Sequence, residues 1–179
     1  MRIISGIYKG RKLVAPSDRS VRPTPDRVKE ALFSMLGQDV EGAVVLDLFA
    51  GSGNLGLEAL SRGATRCYFG DSSRDSIRLI QSNVAYCKAQ DHARIILGDY
   101  RNVLAQLKEQ IDIVFLDPPY KDQLWFGVME ILNDKKLMNP GGLMVLEHPK
   151  EFELPQELYS FRKIKERRYG TVVLSIYMC

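Results

Sequence analysis

A chain of 179 residues with 45% apolar and 26% charged side chains has the size and balance of one soluble globular domain. No apolar run approaches the roughly 18 residues of a membrane span, and Met1-Arg2-Ile3-Ile4-Ser5-Gly6 lacks a signal-peptide apolar region, so a cytoplasmic protein with no membrane partner is expected. The net charge of +3 is uneven: residues 1–30 hold eight basic side chains (Arg2, Lys9, Arg11, Lys12, Arg19, Arg22, Arg27, Lys29) against three acidic ones, leaving 17 basic against 19 acidic for the rest.

Residues 2–15 predict a short hairpin, with Ile3-Ile4 and Lys12-Leu13-Val14 flanking the turn-forming stretch Gly6–Gly10. A helix follows. Thr24 is its predicted N-cap, Pro25 its first residue, and Asp26 suits the positive dipole end. Val28, Ala31, Leu32, Met35 and Leu36 share one face, and Gly37 closes the helix with a positive φ.

From residue 43 strands and helices alternate. The predicted strands are 43–48, 66–70, 93–97, 111–116 and 143–146, the last entered through a turn at Pro140-Gly141-Gly142. The predicted helices are 54–62, 73–88, 101–110 and 123–135. Two further strand-like runs, 158–165 and 171–177, predict an antiparallel pair at one edge. Strands 43–48 and 111–116 are apolar nearly throughout, as in a sheet covered on both faces. The alternation predicts an α/β fold with a mostly parallel sheet. Residues 1–40 read as an extension and 41–179 as the core of a single domain.

Two motifs lie at predicted carboxyl ends of strands, where open α/β sheets bind ligands. The first is Asp47-Leu48-Phe49-Ala50-Gly51-Ser52-Gly53. Its glycines permit a sharp turn and close approach of backbone to a ligand. Gly51 to Gly56 fits G-x-G-x-x-G, and Asp71 lies 20 residues on, where an acid would hold ribose hydroxyls. This pattern suits a nicotinamide dinucleotide and S-adenosyl-L-methionine equally. Asp99, before Tyr100, either accepts from an adenine amino group or caps the next helix.

The second motif is Asp117-Pro118-Pro119-Tyr120. Two prolines make a rigid bend and leave carbonyls as acceptors. An aromatic amine is a poor nucleophile because its lone pair is delocalised into the ring. Fixed oxygens that accept both its N–H bonds tilt that lone pair out of conjugation, and Tyr120 offers a stacking face. A nicotinamide enzyme has no use for such a corner. Cys67, Cys87 and Cys179, with His92 and His148, show neither disulfide nor zinc spacing, so no metal is expected.

Four stretches give the chain a family resemblance: Arg2–Gly6 with Lys9–Arg11, Arg22–Thr24 through Glu30–Phe33, Asp47–Gly53 running on to Glu58–Ala64, and Asp117–Tyr120. The chain resembles the bacterial small-subunit ribosomal RNA (guanine-N2)-methyltransferases, which modify one guanine of 16S rRNA. The resemblance implies a Rossmann-like seven-stranded methyltransferase sheet with an antiparallel last strand. It implies S-adenosyl-L-methionine as cofactor, with Asp47, Phe49, Ala50, Gly51, Ser52 and Gly53 around its methionine part. Asp71, with Ser72, would hold the ribose, and Asp99 and Tyr100 would meet the adenine. This family usually has glutamate at the ribose position, so Asp71 is a departure.

Asp117, Pro118, Pro119 and Tyr120 are the expected catalytic residues, acting on a base flipped out of its stack. Arg2, Lys9, Arg11, Lys12, Arg22 and Arg27 are the expected RNA contacts, with Arg162, Lys163, Lys165, Arg167 and Arg168 as a second patch. The expected partner of this monomer is 16S rRNA, free or within the small ribosomal subunit. Rival readings are an adenine-N6 methyltransferase on RNA or DNA, a nicotinamide oxidoreductase, and a non-catalytic RNA-binding module.

Overall fold

The computed structural model describes residues 1–16, 25–118 and 124–179. Alternating elements build the sheet: β1 (Val44–Leu48), α2 (Asn54–Ser61), β2 (Arg66–Asp71), α3 (Arg74–Cys87), β3 (Ala93–Leu97), α4 (Tyr100–Ala105), β4 (Ile111–Leu116), α5 (Leu124–Asp134) and β5 (Met138–Pro149). Helix α1 (Asp26–Leu36) precedes them, and β6 (Glu157–Leu158), β7 (Phe161–Tyr169) and β8 (Val172–Met178) follow. The spatial order is β3-β2-β1-β4-β5-β8-β7-β6, and β1 to β5 pair in parallel.

The last strand, β8, runs antiparallel to both β5 and β7, as expected, so β7 points the same way as β5. One detail differs from expectation: the two-residue β6 makes an eighth strand. The C-terminal pair forms one edge of the sheet as expected, with β8 inserted between β5 and β7. Composition explains the insertion. Val172–Met178 is buried along most of its length, whereas Phe161–Tyr169 carries a row of exposed charged side chains suited to an outer position.

Other boundaries moved for local reasons. Pro25 is the N-cap of α1 with extended backbone, not its first residue, and Thr24 lies outside the described residues. Gly37 closes α1 with φ 59°. Helix α4 stops at Ala105 rather than reaching Gln110. Pro140-Gly141-Gly142 lies inside β5 rather than ahead of it. There the register slips between Ile111↔Met138 and Ile113↔Leu143, and Gly141 takes φ 80°. The predicted hairpin at residues 2–15 is present in short form: Arg2 and Lys12 make an antiparallel bridge, and the Ile3, Gly10 and Leu13 N–H groups donate to the Arg11, Ile3 and Met1 carbonyls at 3.0, 2.9 and 3.2 Å.

That N-terminal segment is also pinned to the domain. Ile3, Tyr8 and Leu13 are buried in one apolar cluster with Leu32 and Phe33 of α1 and Leu57 and Leu60 of α2. A Cβ on Gly6 would sit 1.7 Å from the Ser61 carbonyl oxygen, so only glycine permits this contact.

A buried ion pair fixes the same contact. Lys29 and Glu58 are both fully buried, with Nζ 3.0 Å from Oε2. Lys29 also donates to the Arg2 carbonyl (2.6 Å) and to Asn54 Oδ1 (2.7 Å). Glu58 accepts from the Ile4 N–H (2.8 Å), the Ser5 N–H (3.1 Å) and Arg62 Nε (2.8 Å). Lys29 therefore does not belong to the exposed basic arm in which its charge was counted. Asn83 of α3 makes a second clamp. Its Nδ2 donates to the Val14 and Ser52 carbonyls (3.0 and 2.9 Å), and its Oδ1 accepts from the Val14 N–H (2.8 Å).

Candidate active site

Strand order reverses between β1 and β4, so the crevice at their carboxyl ends is the switch point of the sheet. Both sequence motifs reach it. After β1 the chain turns through Phe49 (φ 68°), Gly51 (φ 57°) and Gly53 (φ 77°) into α2. Positive φ at a phenylalanine is strained, and two hydrogen bonds hold the turn: the Phe49 and Ala50 N–H groups donate to the Gly70 carbonyl at 2.9 and 3.0 Å. A Cβ on Gly56 would lie 2.3 Å from the Phe69 ring and 2.6 Å from Cys67 Sγ. The third glycine of the motif thus lets α2 lie close on β2. Gly51 faces open space, with no atom within 4 Å of a Cβ built on it.

Acidic side chains frame the turn. Asp47 Oδ2 accepts from the Gly56 N–H (2.8 Å). Asp71 Oδ2 accepts from the Gly51 N–H (2.9 Å), and its Oδ1 from the Ser73 N–H (2.8 Å). The shorter side chain at the family's glutamate position therefore braces the glycine turn directly. Each carboxylate oxygen has a second lone pair, which leaves acceptor capacity for hydroxyls. Ser72 is exposed beside it. Asp99 caps α4 through the Asn102 N–H (2.9 Å), the second of its two expected roles. Tyr100 is buried, its ring 6.5 Å from that of Phe49, so it backs the wall of the site. Ser52 is buried, and its carbonyl is held by Asn83.

Asp117 directly follows β4, and Pro118 is buried behind it; Pro119 and Tyr120 lie outside the described residues. Side chains alternate across a sheet, and Leu116 pairs with Leu146. Continuing that register brings Asp117 beside Glu147 on the face that α1 and α2 cover. The two line one cleft with Val28, Leu32, Leu55 and Leu174. Glu147 is the site residue missed from sequence. Its only signal was position: it follows the apolar run Leu143–Leu146 just as Asp117 follows Ile111–Leu116.

Burial and neighbouring carboxylates raise the proton affinity of Asp47 and Asp117. Burial, opposed by the Gly56 N–H and reinforced by Asp71, pushes Asp47 up to about 7. Burial, then the charges of Glu147 and Asp47, hold Asp117 well above the ordinary carboxylate range. An ionised Asp47 is therefore a burden on the empty protein. Its folded value of about 7 exceeds the ordinary 3.8, so the native state binds more protons than the unfolded one between those values. Stability is lost as pH rises through that window, by on the order of 4 kcal/mol once Asp47 is ionised. The Asp47→Asn protein is expected to unfold at higher denaturant than wild type at pH 8, with a smaller advantage at pH 5. Equal advantages at both pH values would exclude Asp47 as the source.

The basic residues divide. Lys9, Lys12 and Arg27 are exposed. Arg2 is exposed and pairs with Asp26 (2.9 Å). Arg11 lies over the Tyr8 ring and donates to the Tyr86 carbonyl (3.0 Å). Arg22 lies outside the described residues. In the second patch Arg162, Lys165, Arg167 and Arg168 are exposed, while Lys163 pairs with Glu166 (2.7 Å).

The pattern of a conserved family described as Conserved hypothetical protein 95 matches residues 1–178. The candidate rRNA methyltransferase YlbH of Bacillus subtilis is 39% identical over 99% of this chain and 98% of its own. Ribosomal RNA small subunit methyltransferase D of Escherichia coli is 36% identical over 99% of this chain and 89% of its own. The solved structure of the Escherichia coli candidate methyltransferase yhhF superposes with a TM-score of 0.89 at 35% identity, covering 99% of this chain and 97% of that one. With a family match over residues 1–178 and 36% identity over nearly the whole of both chains, this chain belongs to the ribosomal RNA small subunit methyltransferase D family.

Proposed function

We propose that this protein transfers a methyl group from S-adenosyl-L-methionine to the exocyclic N2 amino group of one guanine in 16S ribosomal RNA. The observation that carries the reading is the meeting of Asp47, Asp117 and Glu147 beside the glycine turn at the switch point. Asp47 and Asp117, buried and with raised proton affinity, suit a cationic ligand, because a nearby positive charge restores their ionised forms. The cofactor supplies an electrophilic methyl group on a positively charged sulfur. Asp47 and the turn from Phe49 to Gly53 bind its methionine part, and the spare lone pairs of Asp71 accept from its ribose hydroxyls.

Asp117 and the Pro118 carbonyl accept from the target amine, orient its lone pair and hold it for in-line attack. Positioning at about 3–3.5 Å supplies most of the rate. As the N–C bond would form at the expense of the donor's sulfur–methyl bond, whose electron pair stays with sulfur, the amine becomes cationic and must lose a proton. The raised proton affinity of Asp117 suits it to receive that proton.

The ribosomal substrate class is that named for the Escherichia coli relative. Nucleoside mass spectrometry of ribosomal RNA from cells lacking the protein tests the reading. Loss of one N2-methylguanosine is expected, and loss of an N6-methyladenosine instead would replace guanine with adenine.

The exposed arm is proposed to hold RNA phosphates. Because Ile3, Tyr8 and Leu13 are core residues, deleting the arm would unfold the domain, and charge removal is the cleaner test. Replacing Lys9, Lys12 and Arg27 with Gln is expected to reduce the slope of log affinity against log salt by about 2. An unchanged slope would make the arm structural only.

A further inference from the structure

One row of residues crosses the sheet on the face that α1 covers, acidic at its inner end and basic at its outer end. Continuing the pairing of Leu116 with Leu146 sets Asp117 beside Glu147. Glu147 pairs with Leu174 of β8, and Leu174 pairs with Arg167 of β7. Directly paired residues of antiparallel strands send their side chains to the same face. Leu174 shares the α1 cleft with Asp117 and Glu147, so Arg167 lies on that face too. Its neighbours in β7 agree. Lys165 Nζ donates to the Met35 carbonyl of α1 (2.8 Å), and Tyr169 packs on the apolar cluster that holds Leu32 and Leu174.

The other basic side chains of β7 are committed or sit elsewhere. Lys165 is held by α1, and Lys163 donates to the Leu154 carbonyl and to Glu166 (2.9 and 2.7 Å). Arg168, on the opposite face, donates to the Gly170 carbonyl (3.0 Å). Arg162 is exposed but pairs with Met178 at the far end of the strand. Arg167 is exposed level with Asp117, and among the described residues no hydrogen bond or ion pair holds its guanidinium.

The α1 cleft encloses about 10 Å³, room for about one water molecule, so a base reaches Asp117 from the carboxyl edge of the sheet and not through the cleft. At that edge Arg167 stands three strands from Asp117, about 14 Å at about 4.8 Å per strand. Part of that span is arginine side chain, and the rest is the distance from the edge of a purine to its own backbone phosphate. The polarity matches as well. A guanine nucleotide carries N–H donors at one end and an anion at the other, against an acceptor at Asp117 and a free guanidinium at Arg167.

We propose that Arg167 grips a backbone phosphate flanking the target guanine while the base is flipped onto Asp117. This rests on the reading above that the target amine meets Asp117, and adds the group that holds the backbone beside it. A planar guanidinium binds phosphate oxygens in a bidentate fork, which fixes the direction of the backbone as well as its distance. Such a grip keeps the nucleotide out of its stack while the methyl group moves.

Small-subunit RNA with a neutral methylphosphonate at one or the other phosphate flanking the target guanine tests this, both free and reassembled into subunits. It is assayed with wild type, Arg167→Ala and Arg162→Ala. Deleting one partner of a charged hydrogen-bonded pair is expected to lower kcat/KM roughly tenfold or more. Wild type should show that loss at one of the two methylphosphonates, and Arg167→Ala should show it on unmodified RNA. Both changes delete the same contact, so Arg167→Ala should lose less than about twofold further on that methylphosphonate. Arg162→Ala removes an equal charge at the other end of β7, and should stay within about threefold of wild type and keep its sensitivity. Wild-type indifference to both methylphosphonates overturns the proposal; a loss by Arg167→Ala confined to assembled subunits would then assign the guanidinium to a ribosomal protein. Equal sensitivity of Arg167→Ala and wild type overturns it as well. Failure of wild type to methylate guanine N2 at all overturns the underlying reading instead.

Discussion

Replacing Asp117 with alanine is expected to lower kcat roughly a hundredfold or more while cofactor affinity stays near that of wild type. The reason lies in where Asp117 sits. It follows β4, across the switch point from the glycine turn, whose backbone is held by Gly70 and Asp71 and not by Asp117. Losing its carboxylate therefore leaves the cofactor's supports in place. What disappears is the acceptor proposed to aim the amine and receive its proton. Asp117→Asn keeps one acceptor oxygen and is expected to fall less. The two variants also differ from wild type in pH response. Burial and the neighbouring carboxylates hold the Asp117 carboxyl well above the ordinary range, and only its ionised form accepts a proton. Wild-type kcat should rise as pH climbs above the ordinary carboxylate range, and the residual rates of both variants should not. Rapid-quench turnover with labelled methyl donor gives the rates, and calorimetry gives the affinity. Full turnover by Asp117→Ala would remove it from the reaction.

The parts of the molecule legible in sequence were those encoded locally. Apolar runs such as Ile111–Leu116 mark strands buried on both faces, and the glycine turn and the Asp-Pro-Pro corner follow two of them. Where several structures share one local pattern, the choice depended on distant partners. Pro140-Gly141-Gly142 has the chemistry of a turn and of a strand bulge alike, and pairing with Ile111 and Ile113 decided for the bulge. Residues 2–15 have hairpin chemistry and pair accordingly, but the burial of Ile3, Tyr8 and Leu13 against α1 and α2 depends on residues far along the chain. Glu147 carried no motif, because an acid after a strand acquires meaning only through the strand beside it. Lys29 and Glu58 were least legible of all. A basic and an acidic residue on separate amphipathic helices look like two solvated charges until the helices are packed.

That pair carries the largest expected stability effect. Glu58→Ala is expected to destabilise the fold by about 3–5 kcal/mol, because it leaves the Lys29 ammonium buried without its counter-ion. The loss also strips acceptors from the Ile4 and Ser5 N–H groups and from Arg62. Lys29→Met should cost less, since the Glu58 carboxylate would keep those three donors. The ordering is thus set by what each deletion leaves unmatched. Burial already pulls the Lys29 ammonium below its ordinary 10.5, and the charge and hydrogen bond of Glu58 oppose that pull. Without Glu58 the folded value drops further, and the native state binds fewer protons than the unfolded one up to about pH 10.5. Stability of Glu58→Ala should therefore rise with pH between the lowered folded value and the ordinary one, more steeply than that of wild type. Urea unfolding at pH 7 and pH 9 measures this, and a parallel response of the two proteins would place the cost elsewhere. The effect should reach the active site as well. Lys29 holds Asn54, the first residue of α2, beside Gly53 of the glycine turn proposed to bind the cofactor. A folded fraction of Glu58→Ala should then bind S-adenosyl-L-methionine more weakly than wild type, because one end of the turn has lost its anchor. The N-terminal clamp would thereby act on the cofactor through α2, even though none of its residues lies in the crevice.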